Sequence, residues 1–257
     1  MDLRGKAVLI TGASRGLGAA LARTLAGTQG SKVVAVARGA RELDAVVREI
    51  RERGGEAHSV RADVGDKDAV HAIAGTAAAL AGPIDVLIHC ASTLGKLPMP
   101  ILLDTECEDL AQVLEVNLVG PFRLTKAIVA SMALRGEGAV IFVSSDAAVE
   151  PYPGWGAYGV SKAALEQLGR IWAKELEGTG VRSIVVDPGE MRTQMHADAL
   201  PDADPATLAD PADVAERIVS MLRDERRAPS GARLAAASWR DDDAAHAAQP
   251  ASKEIIA

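Results

Sequence analysis

Apolar residues in this chain fall into short runs separated by longer amphipathic stretches. The runs are KAVLI (6–10), KVVAVA (32–37), AHSV (57–60), DVLIH (85–89), AVIFVS (139–144) and RSIVVD (182–187), with a weaker ARLAAA at 232–237. Most are rich in Val and Ile and do not alternate with polar residues, as expected of strands covered on both faces. Between them the spacing predicts helices near 16–28, 41–53, 66–80, 105–134, 158–177 and 211–222. The last opens with Asp210 as N-cap and Pro211 as the first helical residue. Strands alternating with helices imply a doubly wound, mostly parallel sheet of about seven strands with helices on both faces, an α/β architecture. No internal repeat and no linker interrupts the pattern, so residues 1–239 are expected to form a single domain. After Trp239 the chain reads RDDDAAHAAQPASKEIIA, polar, Ala-rich and aperiodic, so 240–257 is expected to be a tail.

Composition narrows the function classes. Hydrophobic residues make up 48 % of the 257 and charged residues 25 %, ordinary for a globular chain. A formal net charge of −7 argues against a nucleic-acid partner. Two cysteines, Cys90 and Cys107, form neither a disulfide framework nor a zinc-ligand pattern, and the five histidines do not cluster. No metal site is expected. The apolar start AVLI is too short for a signal-peptide core or a membrane span, so a reducing cytoplasmic setting without membrane contact is expected.

The first strand leads into TGASRGLG, Thr11 to Gly18, with glycines at 12, 16 and 18. A side-chain-free turn from strand into helix lets backbone approach a diphosphate, and the helix N-terminus supplies free N–H groups. This placement makes the α/β reading a Rossmann-type one. The spacing is not the GxGxxG fingerprint, and a glycine turn that merely packs a helix on a sheet has the same sequence signature. The second strand ends VAVARGAR. In NAD-binding folds of this kind a carboxylate near that end holds the ribose 2′-hydroxyl; here the position is Ala37, followed by Arg38. With Arg15 in the turn, two guanidiniums can grip a 2′-phosphate, so NADP(H) is favoured over NAD(H).

YGVSK, residues 158–162, sets a phenol and an ammonium one helical turn apart. Alone, the pair reads equally as two solvated side chains. Near a hydride donor it takes another meaning. Reduction of a carbonyl builds negative charge on oxygen, and a nearby proton donor must meet it. A phenol is a weak acid, and an adjacent cation would lower its pKa toward the working range. Ser145, at the end of the fifth strand, would add a hydrogen bond to the developing oxyanion.

With TGASRGLG, ADV (62–64), HCAS (89–92), VNLVG (116–120), SS (144–145), YGVSK and DPGEMRT (187–193), the chain resembles the short-chain dehydrogenase/reductase family over roughly residues 5–195. The resemblance implies that Tyr158 is the general acid/base, that Lys162 binds the nicotinamide ribose and lowers the Tyr158 pKa, and that Ser145 binds the substrate oxygen. It implies that Asn117 supports a water chain through Lys162. The implied cofactor contacts are Gly12, Ser14, Arg15, Gly16, Leu17, Gly18, Arg38, Asp63 at the adenine edge, Val64, Cys90, Ala91 and Ser92. Tyr158, Lys162, Pro188, Gly189 and Thr193 complete them. One departure stands out: HCAS replaces the family's NNAG, so Cys90 occupies the place of an Asn that ties neighbouring strands. His89 and Cys90 are expected to be core residues.

Substrate contacts are expected from Asp146, Ala147, Val149, Trp155, Glu190 and Met191, with 190–210 as a lid. His196 in that lid is expected to be exposed. The details STLG and PGWGAY resemble sepiapterin-reductase-type members, which suggests a planar dicarbonyl stacked on Trp155. The alternatives are a 3-oxoacyl carrier-protein reductase and a non-enzymatic NADP-binding regulatory or scaffold protein. The apolar stripe Leu165, Leu168, Ile171, Trp172 and Leu176 suggests a homodimer or homotetramer, although ordinary core has the same spacing.

Overall fold

A computed structural model describes residues 1–240; the tail expected at 240–257 lies, beyond Arg240, outside the described residues. Seven strands form one parallel sheet in the order β3-β2-β1-β4-β5-β6-β7. They are β1 (Ala7–Thr11), β2 (Lys32–Ala37), β3 (Glu56–Arg61), β4 (Val86–His89), β5 (Gly138–Val143), β6 (Val181–Asp187) and β7 (Arg233–Ala235). The order reverses between β1 and β4, the place where doubly wound sheets open a crevice at their strand carboxyl ends.

The helices are α1 (Gly16–Gly27), α2 (Ala40–Glu52), α3 (Val70–Ala81), α4 (Cys107–Leu114), α5 (Gly120–Arg135), α6 (Gly156–Glu175), α7 (Gln194–Ala199) and α8 (Pro211–Arg223). Strands β1, β4 and β5 are buried throughout, as their unbroken apolar runs require. One core, with Val8, Ile10, Leu21, Leu25, Ile141 and Ile218, packs α1, α2 and α8 on one face. The other, with Leu9, Leu87, Leu124, Phe142, Leu165 and Val185, packs α3, α5 and α6 on the opposite face. No helix among the described residues is long and apolar enough to cross a membrane.

Two elements differ from the sequence expectation. The helix expected over 105–134 is interrupted by a π-turn at Glu115–Val119, where the Gly120 N–H bonds to the Glu115 carbonyl. Pro121 explains it: without an N–H, and with its ring against the preceding turn, it cannot continue a regular ladder. The segment 190–210 folds on itself through α7 and a bridge between Met191 and Ala209. There His196 is not the exposed residue expected from a loop. Its side chain is only 12 % exposed, with Nε2 3.7 Å from Glu190 Oε1.

Candidate active site

The glycine turn is built by close approach. Gly12 has φ +69°, and a Cβ there would stand 2.7 Å from the Ala91 nitrogen, so only glycine lets β1 turn beneath the loop after β4. A Cβ on Gly18 would run into the Gly12 carbonyl. Ser14 is half-buried, Arg15 exposed and Leu17 buried. Thr193 is close by: a Cβ on Gly16 would lie 3.4 Å from its methyl group.

The HCAS loop solves its strand tie without the missing Asn. Thr11 Oγ1 accepts from the Ala91 N–H at 3.2 Å and donates to the Ile88 carbonyl at 3.4 Å, joining β1 to β4. His89 is buried, with Nε2 2.8 Å from Thr125 Oγ1 and its ring stacked on Phe142. Burial, with a smaller push from the Lys162 charge, lowers its pKa to about 3. Cys90 is partly exposed at its surface, yet its thiol is pushed up to about 12 by burial. That makes it a poor nucleophile at neutral pH.

Arg38, directly after β2, is exposed and stands 3.6 Å from Asp63 Oδ2. Asp63 Oδ1 accepts from the Gly65 N–H at 2.9 Å. Val64 is buried, and its carbonyl packs where Gly120 has no side chain.

Asn117 lies inside the π-turn, 1 % exposed. Its Oδ1 accepts from the Thr93 N–H at 2.8 Å; its Nδ2 donates to the Thr93 carbonyl and to Ser161 Oγ, both at 2.9 Å. Ser161 Oγ in turn donates to the Tyr158 carbonyl at 2.6 Å. One amide therefore pins the loop after β4 to the helix that carries Tyr158. The sequence reading missed Thr93 and Ser161, whose hydroxyl-bearing types gave no sign of this partnership.

Tyr158 and Lys162 share one face of α6, both buried, with Nζ 5.5 Å from the ring centroid. Nζ donates to the Val143 carbonyl at 2.8 Å, which fixes the ammonium beneath the ring. Burial lowers the Lys162 pKa to about 8. Burial also pushes the Tyr158 pKa up to about 12, while the nearby Ser145 hydroxyl works against it and the Asp146 charge adds to it. This differs from the expected lowering by Lys162: in an enclosed pocket the loss of hydration is the largest influence. The Ser92 hydroxyl also favours the phenolate, although it makes no hydrogen bond of ordinary geometry.

Ser145 Oγ donates to Asp146 Oδ1 at 2.8 Å and accepts from the Ala147 N–H at 3.2 Å. Tyr152 Oη donates to Asp146 Oδ2 at 3.0 Å, so this exposed carboxylate is held from two sides. Trp155 meets Tyr158 edge-on at 5.8 Å. Leu94, Met99, Met195 and Ala199 pack in the same cluster. Met191 packs instead on the main core, while Glu190 and Val149 are exposed. Pro188 is buried and Gly189 takes φ +74°, its N–H bonded to Asp187 Oδ1 at 3.0 Å. A separate groove of about 600 Å³ runs along α1 and α8. It is lined by Arg23, Arg53 and Arg192, each already paired with a carboxylate, and reaches the candidate site only at Gly16 and Thr193.

Comparison with known proteins agrees with this geometry. The short chain dehydrogenase family model matches residues 6–204. A short chain dehydrogenase of Pseudocercospora fijiensis is 38 % identical over 229 residues, covering 88 % of this chain and 71 % of its own. A 3-oxoacyl-[acyl-carrier-protein] reductase of Synechocystis is 37 % identical over 193 residues, 75 % of this chain and 77 % of its own. The solved structure of a Shigella flexneri short chain dehydrogenase complexed with NADP superposes with a TM-score of 0.84 at 28 % identity, covering 92 % of this chain and 99 % of that one. The chain is thus an oxidoreductase of the short-chain dehydrogenase/reductase family.

Proposed function

We propose that this protein is an NADP(H)-dependent reductase of a small carbonyl compound, with Tyr158 as proton donor. The observation that carries the reading is the buried Tyr158 phenol beside the Lys162 ammonium, which is fixed to the Val143 carbonyl. The residues suit a dinucleotide: Gly12 and Gly18 let the turn pack directly on the Ala91 and Gly12 backbone, which brings a side-chain-free turn to the N-terminus of α1, and no carboxylate follows Ala37 to repel a 2′-phosphate. Arg38 would leave its exposed pairing with Asp63 for that phosphate, because such surface pairs are worth only about 0–1 kcal/mol. Arg15 would serve as a second grip. Gly16, Leu17, Ala91, Pro188, Gly189 and Thr193 would line the remainder.

A nicotinamide held by these residues would supply hydride to the carbonyl carbon. Everything else falls to the chain. The Ser145 hydroxyl turns from Asp146 to the substrate oxygen, where negative charge builds. Tyr158, protonated at neutral pH, donates to that oxygen. Lys162, with a pKa near 8 against about 12 for the phenol, is the stronger acid of the two. The phenolate would then be reprotonated from the Lys162 side. Trp155 would stack on a planar substrate such as a 1,2-diketone or pteridine.

The Synechocystis relative supports a second reading, reduction of a carrier-linked 3-oxoacyl group. A pure scaffold role is disfavoured, since a binding module needs no buried proton donor. Exposed Phe122 and Ile171 on α5 and α6 support a homodimer or homotetramer, to be checked by light scattering. The decisive test is calorimetric titration with NADPH and NADH, then with Arg38→Ala. Selective NADPH binding that weakens in the variant, followed by diketone-dependent NADPH oxidation, is expected. Equal binding of both cofactors overturns the NADP assignment. Turnover only with phosphopantetheine-linked substrates selects the second reading.

A further inference from the structure

Beneath the phenol lies a set of charges that the proposed chemistry does not use. Glu166 stands one helical turn after Lys162 and is only 4 % exposed. Its Oε1 accepts from Ser144 Oγ at 2.7 Å and from Arg233 Nε at 2.8 Å; Arg170 Nη2 approaches Oε2 at 3.4 Å. A carboxylate this far from water needs such donors. Arg233 comes from β7, the three-residue edge strand. Its Nη2 reaches Asp187 Oδ2 at 3.2 Å and the main-chain carbonyl of Ser145 at 3.3 Å. The other Asp187 oxygen holds the Gly189 N–H.

One guanidinium thus joins three separate elements. These are α6, which carries Tyr158 and Lys162; the end of β5, which carries Ser145; and the end of β6, which carries Pro188 and Gly189. A planar fork suits acceptors lying in several directions, where an ammonium offers a point charge. Arg233 bonds to the frame around the reacting groups: a carboxylate on α6, a carboxylate on β6 and a main-chain oxygen.

We propose that Arg233 is a positioning residue, which sets the Ser145 backbone against the Lys162 turn of α6 and so fixes the spacing of the Ser145 hydroxyl and the Tyr158 phenol. This rests on the reading of Ser145 and Tyr158 given above. A misplacement of this kind lowers turnover more than binding.

The test is NADPH-dependent reduction of a 1,2-diketone by the parent, Tyr158→Phe, Arg233→Ala and Arg233→Lys, each corrected for its folded fraction by circular dichroism. Arg233→Ala is expected to lose kcat by about 10- to 100-fold with little change in KM. Added guanidinium chloride, kept below denaturing levels, is expected to restore part of that loss, while ammonium chloride at the same concentration does not. Arg233→Lys is expected to fall in between. If Arg233→Ala does not fold, Arg233→Lys and Asp187→Asn carry the test, and parental kcat in both overturns the inference. A parent without turnover, or one whose turnover survives Tyr158→Phe, overturns the functional reading and the inference with it. A Tyr158-dependent parent whose Arg233→Ala variant keeps its kcat, or loses activity only in KM, overturns the inference alone.

Discussion

The floor beneath the Tyr158 phenol and the mouth above it are held in opposite ways. On the floor, Asn117, Ser161, Lys162 and Glu166 are buried, and each is tied to main chain or to a buried partner. At the mouth, Asp146, Tyr152 and Glu190 are exposed, and Tyr152 holds Asp146 through a bond between two exposed side chains. Buried polar groups that lose a partner are penalised heavily, whereas exposed ones turn to water. On the function proposed above, the contrast would separate tasks: proton handling on a rigid base, and substrate choice where exchange of residues is cheap.

Four substitutions break or sharpen this contrast. The largest effect is expected from Tyr158→Phe, which removes the proton donor and keeps the ring. Steady-state assays should show kcat lower by about 10²–10⁴-fold, with NADPH affinity by calorimetry unchanged. Comparable turnover in the variant would remove the floor from the chemistry altogether.

Asn117→Ala should follow. It leaves the part-buried Thr93 N–H and carbonyl without their partner and takes one of the two bonds of the buried Ser161 hydroxyl. Urea denaturation should show a loss of about 2–4 kcal/mol. A loss no larger than that of a mouth variant would end the comparison.

His89 offers a pH test. Its folded pKa is depressed to about 3 from an ordinary 6.5. The unfolded chain therefore binds a proton that the folded chain refuses. The stability gained from the neutral ring is fully present above pH 6.5 and is lost as pH falls toward 3, by about 1.4 kcal/mol per pH unit. His89→Asn should flatten that acid limb in denaturation curves measured across the window. An unchanged limb would place the acid sensitivity elsewhere.

Asp146→Asn, at the mouth, should change stability by less than about 0.5 kcal/mol. The Asp146 carboxylate raises the Tyr158 pKa, with Asp187 acting the same way more weakly. Its neutral replacement should move the alkaline limb of the reductive pH–rate profile to lower pH. A profile that does not move would show that mouth and floor are electrically separate.

Much of this was legible in the residues. The apolar runs placed all seven strands within a residue or two; the five inner ones are buried on both faces and so apolar along their length, while β3 and β7 at the edges are only partly buried. The glycine turn and the Tyr158–Lys162 step were visible for a related reason: both depend on local spacing. What escaped depended on contacts distant in sequence. Glu166 and Arg233 are 67 positions apart, and neither has a local signature that separates a buried clamp from a solvated charge. The direction of the Tyr158 shift escaped too, since sequence shows the nearby lysine but not the depth of the pocket. Pro121 did mark the break in the long helix; an overall apolar pattern across 105–134 obscured it.

That break has a consequence for chain length. A π-turn carries one residue more than the α-turn it replaces, so Glu115–Val119 acts as a phase shifter between α4 and α5. Deleting a single residue there would remove that extra residue and rotate everything downstream by about 100°. Leu124 and Ile128 would leave the core, and the Asn117 amide would lose its station opposite Thr93. In this stretch the number of residues, as much as their identity, is under constraint.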